Sequence, residues 1–220
     1  MQRLRRQLVV LARWPAPGRC KRRLAASCGS AQLAAAMQRR LSWHTLHTAA
    51  AAAARCEAQL VLTAAGLGPR ALRRWGRGLL PAESPLTLQR QAGGSLGCRM
   101  QRQLQRGFAS GCEQVVLIGS DLPALEPDDL IEAFAQLEQR PLVVGPASDG
   151  GYWLIGLSRE GFARSGCALM SGIAWGSDQV LPTTLQRAQA CDLPVALLRE
   201  QSDLDRRSAL EPWLQCSEHR

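Results

Sequence analysis

The sequence predicts an α/β fold, with a mostly parallel β-sheet covered by helices on both faces to make three layers. Three observations carry this expectation. Short aliphatic runs recur along the chain, among them VVLI at 115–118. Segments with helical periodicity separate most of these runs, and the connections between them are short. No linker, low-complexity spacer or fixed-period repeat interrupts the alternation, so residues 1–220 read as one domain, a length that a single core can serve.

The elements follow in order. QLVVLAR (7–13) is a first strand, and WPAPGRCKRRLA then turns sharply and enters a helix as a basic segment. Residues 30–54 predict a long helix, with Ser30 as N-cap and Leu33, Met37 and Leu41 at four-residue spacing. AQLVLTA (58–64) is a second strand, GPRALRRWG a short helix and LTLQRQ (86–91) a third strand. AGGSLGCRMQRQLQRGF opens as a glycine-rich turn and continues as a helix. The strand 114–119 leads through a loop to a helix over 127–138, which Asp128 is placed to cap after Pro127. RPLVVGPA (140–147) and GYWLIGL (151–157) are strands joined by the turn SDG. A helix over 178–190, a strand LPVALLR (193–199) and a helix near 206–215 complete the chain.

Composition narrows the class. The net charge is +9, from 27 Lys and Arg against 18 Asp and Glu, and Lys21 is the only lysine. This balance fits nucleic acid, anionic lipid or phosphate-bearing substrates, and GC-rich coding, which the abundant Ala, Leu and Gln also suggest, would produce it equally well. Nucleic acid is the weakest of those partners, because Tyr152, three Phe and six Trp are scattered rather than ordered as a stacking set. The eight cysteines show no C-x-x-C pair, which argues against a zinc site and a disulfide framework. The apolar stretch at the N-terminus is short for a signal peptide, and no stretch has the length of a membrane span. The expected compartment is the cytoplasm.

In an open α/β sheet, ligands bind outside the carboxyl ends of the strands. After the first strand, Gly18 allows close backbone approach, while Arg13, Lys21, Arg22 and Arg23 bring cations to a helix start. A phosphate group suits this segment, although it is neither a Walker loop nor a G-x-G-x-x-G fingerprint. Asp121 ends a central apolar strand, where a carboxylate can hold Mg²⁺ or Mn²⁺ against a diphosphate. Asp149 lies in a hairpin turn and reaches the same edge as Asp121 if its strand is parallel to 114–119. Asp203 and Asp205 follow the last strand, either as a second metal ligand or as helix caps. His44 and His47 have metal-compatible spacing on the long helix but lack a third ligand, so a surface or interhelical role is expected.

Six ordered segments (ARWPAPGRCKRRLA, GGSLGCRM, IGSDLPALEPDDL, GPASDGGYWLIGL, AWGSDQVL and SDLD) resemble those of the bacterial selenodomain-associated transferases. That GT-A-like family is often labelled glycosyltransferase and linked to arsenosugar-type pathways. The resemblance implies a GT-A, nucleotide-diphospho-sugar-transferase-like fold. It also implies that Arg13, Pro17, Gly18, Lys21 and Arg23 cradle a nucleotide and its phosphates, with Gly94 and Arg99 from the glycine-rich turn. It makes Asp121 and Asp205 the ligands of Mg²⁺ or Mn²⁺. Asp149, Gly150 and Gly151 would line the acceptor or sugar side, with Trp175 and Asp178 nearby. Arg13 stands where the family usually has lysine, Arg22 where it has threonine, and Ser95 and Cys98 where it generally has acids.

The implied activity is metal-dependent glycosyl transfer from a nucleotide-diphosphate donor to a small-molecule acceptor. Either Asp149 or Asp178 would serve as general base if the sugar inverts. The alternatives are a nucleotidyltransferase of the phospholactate guanylyltransferase type, which releases pyrophosphate, and a catalytically degenerate nucleotide-binding protein.

Overall fold

The structure is a computed structural model and describes residues 5–202. Its first half contains β1 (Arg6–Arg13), α1 (Arg22–Cys28), α2 (Ala31–Cys56), β2 (Ala58–Ala65), α3 (Pro69–Gly76), β3 (Leu86–Arg90) and α4 (Leu96–Ala109). Its second half contains β4 (Gln114–Ile118), α5 (Pro127–Gln136), β5 (Leu142–Pro146), β6 (Tyr152–Ser158), α6 (Arg159–Ser165), α7 (Val180–Ala190) and β7 (Val195–Leu197). A 3-10 turn at Ala168–Met170 precedes α7.

The strands form one seven-stranded sheet in the order β3-β2-β1-β4-β6-β5-β7. Pairing is parallel except where β6 runs antiparallel to both β4 and β5. β5 is therefore parallel to β4, the condition under which Asp149 shares an edge with Asp121. β1 has β2 on one side and β4 on the other, so the chain reverses its winding there. That reversal opens a crevice between the carboxyl ends of β1 and β4.

Helices cover both faces. Leu46, Ala49 and Ala52 of α2 join Leu130 and Phe134 of α5 over one face, among Leu8, Val10, Leu62 and Ile118. Met100, Leu104 and Phe108 of α4, with Ala188 of α7, cover the other face over Val9, Leu117 and Ile155. β4 is buried at every position, and its apolar run Val115–Ile118 suits a central strand covered on both faces. Each such side chain contributes about 1.5–3 kcal/mol of burial.

Several local expectations are corrected. The N-cap of α5 is Glu126, not Asp128, and Asp129 Oδ2 accepts from the Glu126 backbone N–H at 2.8 Å. Asp128 instead pairs with Arg55 on α2. α6 occupies a segment without a predicted element, and Ser158 caps it by accepting from Gly161 N at 3.1 Å. β7 is shorter than the run LPVALLR, because only 195–197 find partners on β5. His47 stacks on Trp43 with centroids 3.9 Å apart, in keeping with a surface role. Among the described residues all cysteines are free, and no helix is long and apolar enough to cross a membrane. The helix expected near 206–215, with Asp203 and Asp205, lies outside the described residues.

Candidate functional site

The β1–β4 crevice gathers residues from three elements. Past β4, Ser120 and Asp121 face the loop that follows β1. Lys21 Nζ lies 2.9 Å from Asp121 Oδ2, with the lysine side chain 1% exposed and the aspartate 37%. Gln38, buried on α2, donates its amide to Asp121 Oδ1 at 2.8 Å and to the Ser120 hydroxyl at 3.2 Å. The same amide lies 3.3 Å from the Ser42 hydroxyl, one turn further along α2. Asp121 is thus oriented from two sides while its outer face stays open. Neither Gln38 nor Ser120 stood out in the sequence, since a neutral amide in a helix and a serine beside an acid carry no distinguishing pattern.

The loop from Arg13 to Arg23 forms one wall. Gly18 has φ +73° and no heavy atom near the position of an added Cβ, so the left-handed conformation is what requires glycine there. Lys21 also has positive φ, 47°, a strained conformation that turns its side chain inward to Asp121 at the start of α1. Arg13, Pro17, Arg22 and Arg23 are exposed along the loop, while Lys21 is buried beneath it. Cys20 is buried too, and burial, reinforced by the Asp121 charge, raises its thiol pKa. It is therefore a packing residue rather than a nucleophile.

At the end of β3, Gly94 has φ +106° in the turn that leads into α4. Arg99 Nε donates to Gly94 O at 2.9 Å, and Arg102 donates to Gly93 O at 2.5 Å. Both guanidinium groups thus brace the turn. Ser95 is the N-cap of α4, accepting from Cys98 N at 3.3 Å. The two positions where the resembling family has acids are the N-cap and the third helical residue, the places of a capping box. Ser95 keeps the cap, and Cys98 loses only the reciprocal half. The Cys98 thiol pKa is lowered, chiefly by its hydrogen bond with the Ser95 side chain.

On the other side of the crevice, the hairpin turn and the loop before α7 interlock. A Cβ on Gly150, whose φ is +84°, would meet Asp178 Cα at 2.4 Å. Leu181 N donates to Gly150 O at 2.9 Å, which fastens the start of α7 to the turn. A Cβ on Gly97 would lie 2.1 Å from Met170 O and 2.9 Å from the Trp175 ring. Trp175 also meets Tyr152 edge-on, with centroids 6.2 Å apart. Asp149 and Asp178 are both exposed here. Asp149 Oδ1 closes its own turn by accepting from Gly151 N at 2.9 Å, whereas among the described residues Asp178 Oδ1 meets the Gln179 side-chain amide alone, at 3.2 Å.

The donor set at Asp121 fits a hard divalent cation in one particular way. A carboxylate offers about four lone-pair positions, of which Lys21, Gln38 and Ser120 engage three. No group of three or more His, Cys, Asp or Glu side chains gathers among the described residues. One partly exposed carboxylate is what Mg²⁺ or Mn²⁺ commonly takes from protein when phosphate oxygens and water complete the shell.

The fold is that of the nucleotide-diphospho-sugar-transferase-like and cytidylyltransferase-like α/β proteins. The chain belongs to the bacterial family DUF2064, described as an uncharacterized protein conserved in bacteria, which residues 45–177 match. A candidate nucleotide-diphospho-sugar transferase from Desulfovibrio desulfuricans G20 superposes with TM-score 0.81 at 25% identity, covering 99% of this chain and 96% of the other. Rv0371c from Mycobacterium tuberculosis H37Rv, in complex with manganese, matches with TM-score 0.55 at 19% identity, covering 97% and 100%. The inositol-1-phosphate CTP transferase of T. maritima matches with TM-score 0.57 at 15% identity, covering 99% and 97%. No curated protein matches the sequence significantly.

Proposed function

We propose that this protein is a GT-A-type transferase of the selenodomain-associated kind, moving a sugar from a nucleotide-diphosphate donor to a small-molecule acceptor. The observation that carries this reading is the Lys21–Asp121 pair in the β1–β4 crevice, a cation and a carboxylate side by side where a diphosphate and its metal would lie. The similarity to the D. desulfuricans protein supports it.

Mg²⁺ or Mn²⁺, when bound, supplies Lewis-acid neutralisation of the leaving diphosphate. Asp121 would hold it, with Asp205 as the expected second ligand. The chain's own contribution begins with Arg13, Lys21 and Arg23, whose charges stabilise the departing oxygens. Pro17 and Gly18 shape the backbone that the phosphates approach, and the turn at Gly94, braced by Arg99, closes the nucleotide side. Gly150 and Gly151 bring the hairpin close to the acceptor. In an inverting transfer, the bond from the anomeric carbon to the diphosphate breaks as the bond to the acceptor oxygen forms. The hydroxyl proton then passes to Asp178, whose carboxylate is less committed than that of Asp149.

A second reading, nucleotidyl transfer with pyrophosphate release, is favoured by the burial of Lys21 against Asp121, which suits charge stabilisation at an α-phosphate. The likeness in fold to CTP transferases is consistent with it.

A thermal-shift panel of nucleoside diphosphates, their sugar conjugates and the four NTPs, with and without Mn²⁺, separates these readings. Metal-dependent stabilisation by one sugar conjugate is the expected result. Stabilisation by an NTP alone, followed by pyrophosphate release with a phosphorylated acceptor, would replace it with the second reading. No stabilisation across the panel would overturn both.

A further inference from the structure

The charge of this chain is divided along its length. Of the 18 Asp and Glu, only Glu57 and Glu83 precede residue 113, whereas 19 of the 27 Lys and Arg do. A coding bias raises arginine along a whole chain, and so accounts for the total but not for the division. The sheet order carries the division into space, because the first half supplies β3, β2 and β1 and the second supplies β4 to β7. One end of the sheet is therefore strongly basic and the other acidic.

The cations gather around β3, the edge strand. On one face of the sheet α3 packs closely on it, and a Cβ added to Gly76 would lie 2.6 Å from the Leu88 side chain. Arg70, Arg73, Arg74 and Arg77 fall at i, i+3, i+4 and i+7 along α3 and its C-cap, and all four are exposed. Among the described residues no carboxylate pairs with any of them. Like charges at these spacings repel, and Arg70 stands in the first turn, where the helix dipole disfavours a cation. The stripe therefore does not serve the helix that carries it. On the other face Arg106 of α4 reaches Gln89 of β3, Arg102 braces the turn that follows, and Arg90 ends the strand. All three are exposed.

We propose that this edge is a docking surface for an anionic membrane, which the protein meets peripherally through α3, Arg90 and α4. The cations lie on both layers of a convex edge, so a plane of anionic headgroups engages them together, as clustered arginines engage acidic lipid. The acidic half points away from the surface, and its repulsion fixes the orientation. A second copy of the chain is a poor occupant, since pairing two β3 edges would set arginine against arginine. Nucleic acid is matched less well. Besides its arginines α3 exposes only Pro69 and Ala71, so it offers no amide or hydroxyl to a base edge, and Trp75 is turned against Trp14. Docking is independent of which group the crevice transfers. The crevice stays open sideways, roughly 10 Å, or two strand spacings, from β3.

Co-sedimentation with lipid vesicles is the test. The wild type should pellet with vesicles of phosphatidylcholine mixed with phosphatidylglycerol, not with phosphatidylcholine alone, and added salt should release it. Arg73→Gln combined with Arg74→Gln should weaken partitioning about 25-fold, from a factor of about five for each arginine. Arg39→Gln combined with Arg140→Gln removes the same charge from exposed sites away from β3, and should weaken it by no more than about threefold. No binding to the anionic vesicles at low salt, or equal losses in the two double variants, would overturn the docking surface. So would retention on duplex DNA in the presence of excess anionic vesicles, lost in the α3 double variant, which would make nucleic acid the partner.

Discussion

Lys21 places its buried ammonium 2.9 Å from Asp121, which makes the lysine the resident counter-ion of the carboxylate best placed to hold a metal. A divalent cation and the ammonium then compete for one group. An arriving diphosphate relieves the competition, because its oxygens offer the ammonium another anion. Metal and nucleotide should therefore bind with positive coupling, each strengthening the other by the same factor.

Lys21→Gln should bind Mn²⁺ alone several-fold more tightly than the wild type and lose most of the coupling with a nucleoside diphosphate. Calorimetric titration of Mn²⁺ with and without nucleotide reads both quantities. Unchanged affinity for Mn²⁺ alone would refute the competition.

The pair also bears on stability. Asp121→Asn removes the carboxylate but leaves the ammonium inside, and should cost about 1–3 kcal/mol. That is less than the 3–5 kcal/mol of a fully buried pair, since the aspartate is a third exposed. Lys21→Met combined with Asp121→Asn should recover much of the loss in a urea-denaturation cycle, and both Asn variants should lose Mn²⁺-dependent nucleotide binding. Additive losses would show that the pair carries no coupling energy.

Gly150 and Gly66 make a controlled comparison. Both have φ above +80°, so alanine costs about 1–2 kcal/mol at either from backbone strain. Only at Gly150 would the new Cβ also strike Asp178, so Gly150→Ala should be clearly the worse of the two in chemical denaturation and Gly66→Ala the milder. Gly150→Ala should in addition lower kcat more than it raises KM, as expected if Asp178 acts on the acceptor. Equal costs would mean that the loop yields freely.

The start of α4 gives a pH-dependent test. With its pKa lowered by Ser95, the exposed Cys98 thiol should react with iodoacetamide at lower pH than a free cysteine peptide. Ser95→Ala should move that profile upward and cost about 1 kcal/mol of stability through the lost cap. A thiol that ionises more easily in the folded chain adds stability above the unfolded thiol's pKa. That increment disappears as pH falls through the folded value. An alkylation profile unmoved by Ser95→Ala would show that the serine does not set the thiol's acidity.

Much of this architecture was legible in the chain, for identifiable reasons. The strand 114–118 announces itself by the apolar run 115–118, and the acid that follows it falls at the carboxyl edge of the sheet, where open α/β sheets bind ligands, by geometry alone. The SDG turn correctly joins two strands and places Asp149. What escaped depends on distant partners. Glu126, Asp128 and Asp129 are nearly equivalent as caps in sequence, and the choice is made by Arg55 on α2 and by Arg199 and Gln201, which both bind Asp129. α6 was hidden because it is only seven residues long and Gly161 interrupts its pattern. Gln38 was invisible because its importance lies in the Ser120 and Asp121 side chains that surround it, and a neutral amide leaves no mark in composition or charge.

The antiparallel strand β6 has a further consequence. Through β6, the hairpin that carries Asp149 is locked in register to the strand that delivers Asp121, with Ile118 opposite Leu154 and Gly145 opposite Leu154. The register of these paired strands can change only by whole residues, in steps of about 3.3 Å that also turn side chains to the opposite face, so the irregularity between Gly145 and Pro146 and the loop after Ile118 are where the two acids can be re-aimed. The loop before α7 obeys no such ruler. Lineages that diversify their acceptors by small increments would do so through residues 171–179, leaving the hairpin as the fixed jaw of the clamp.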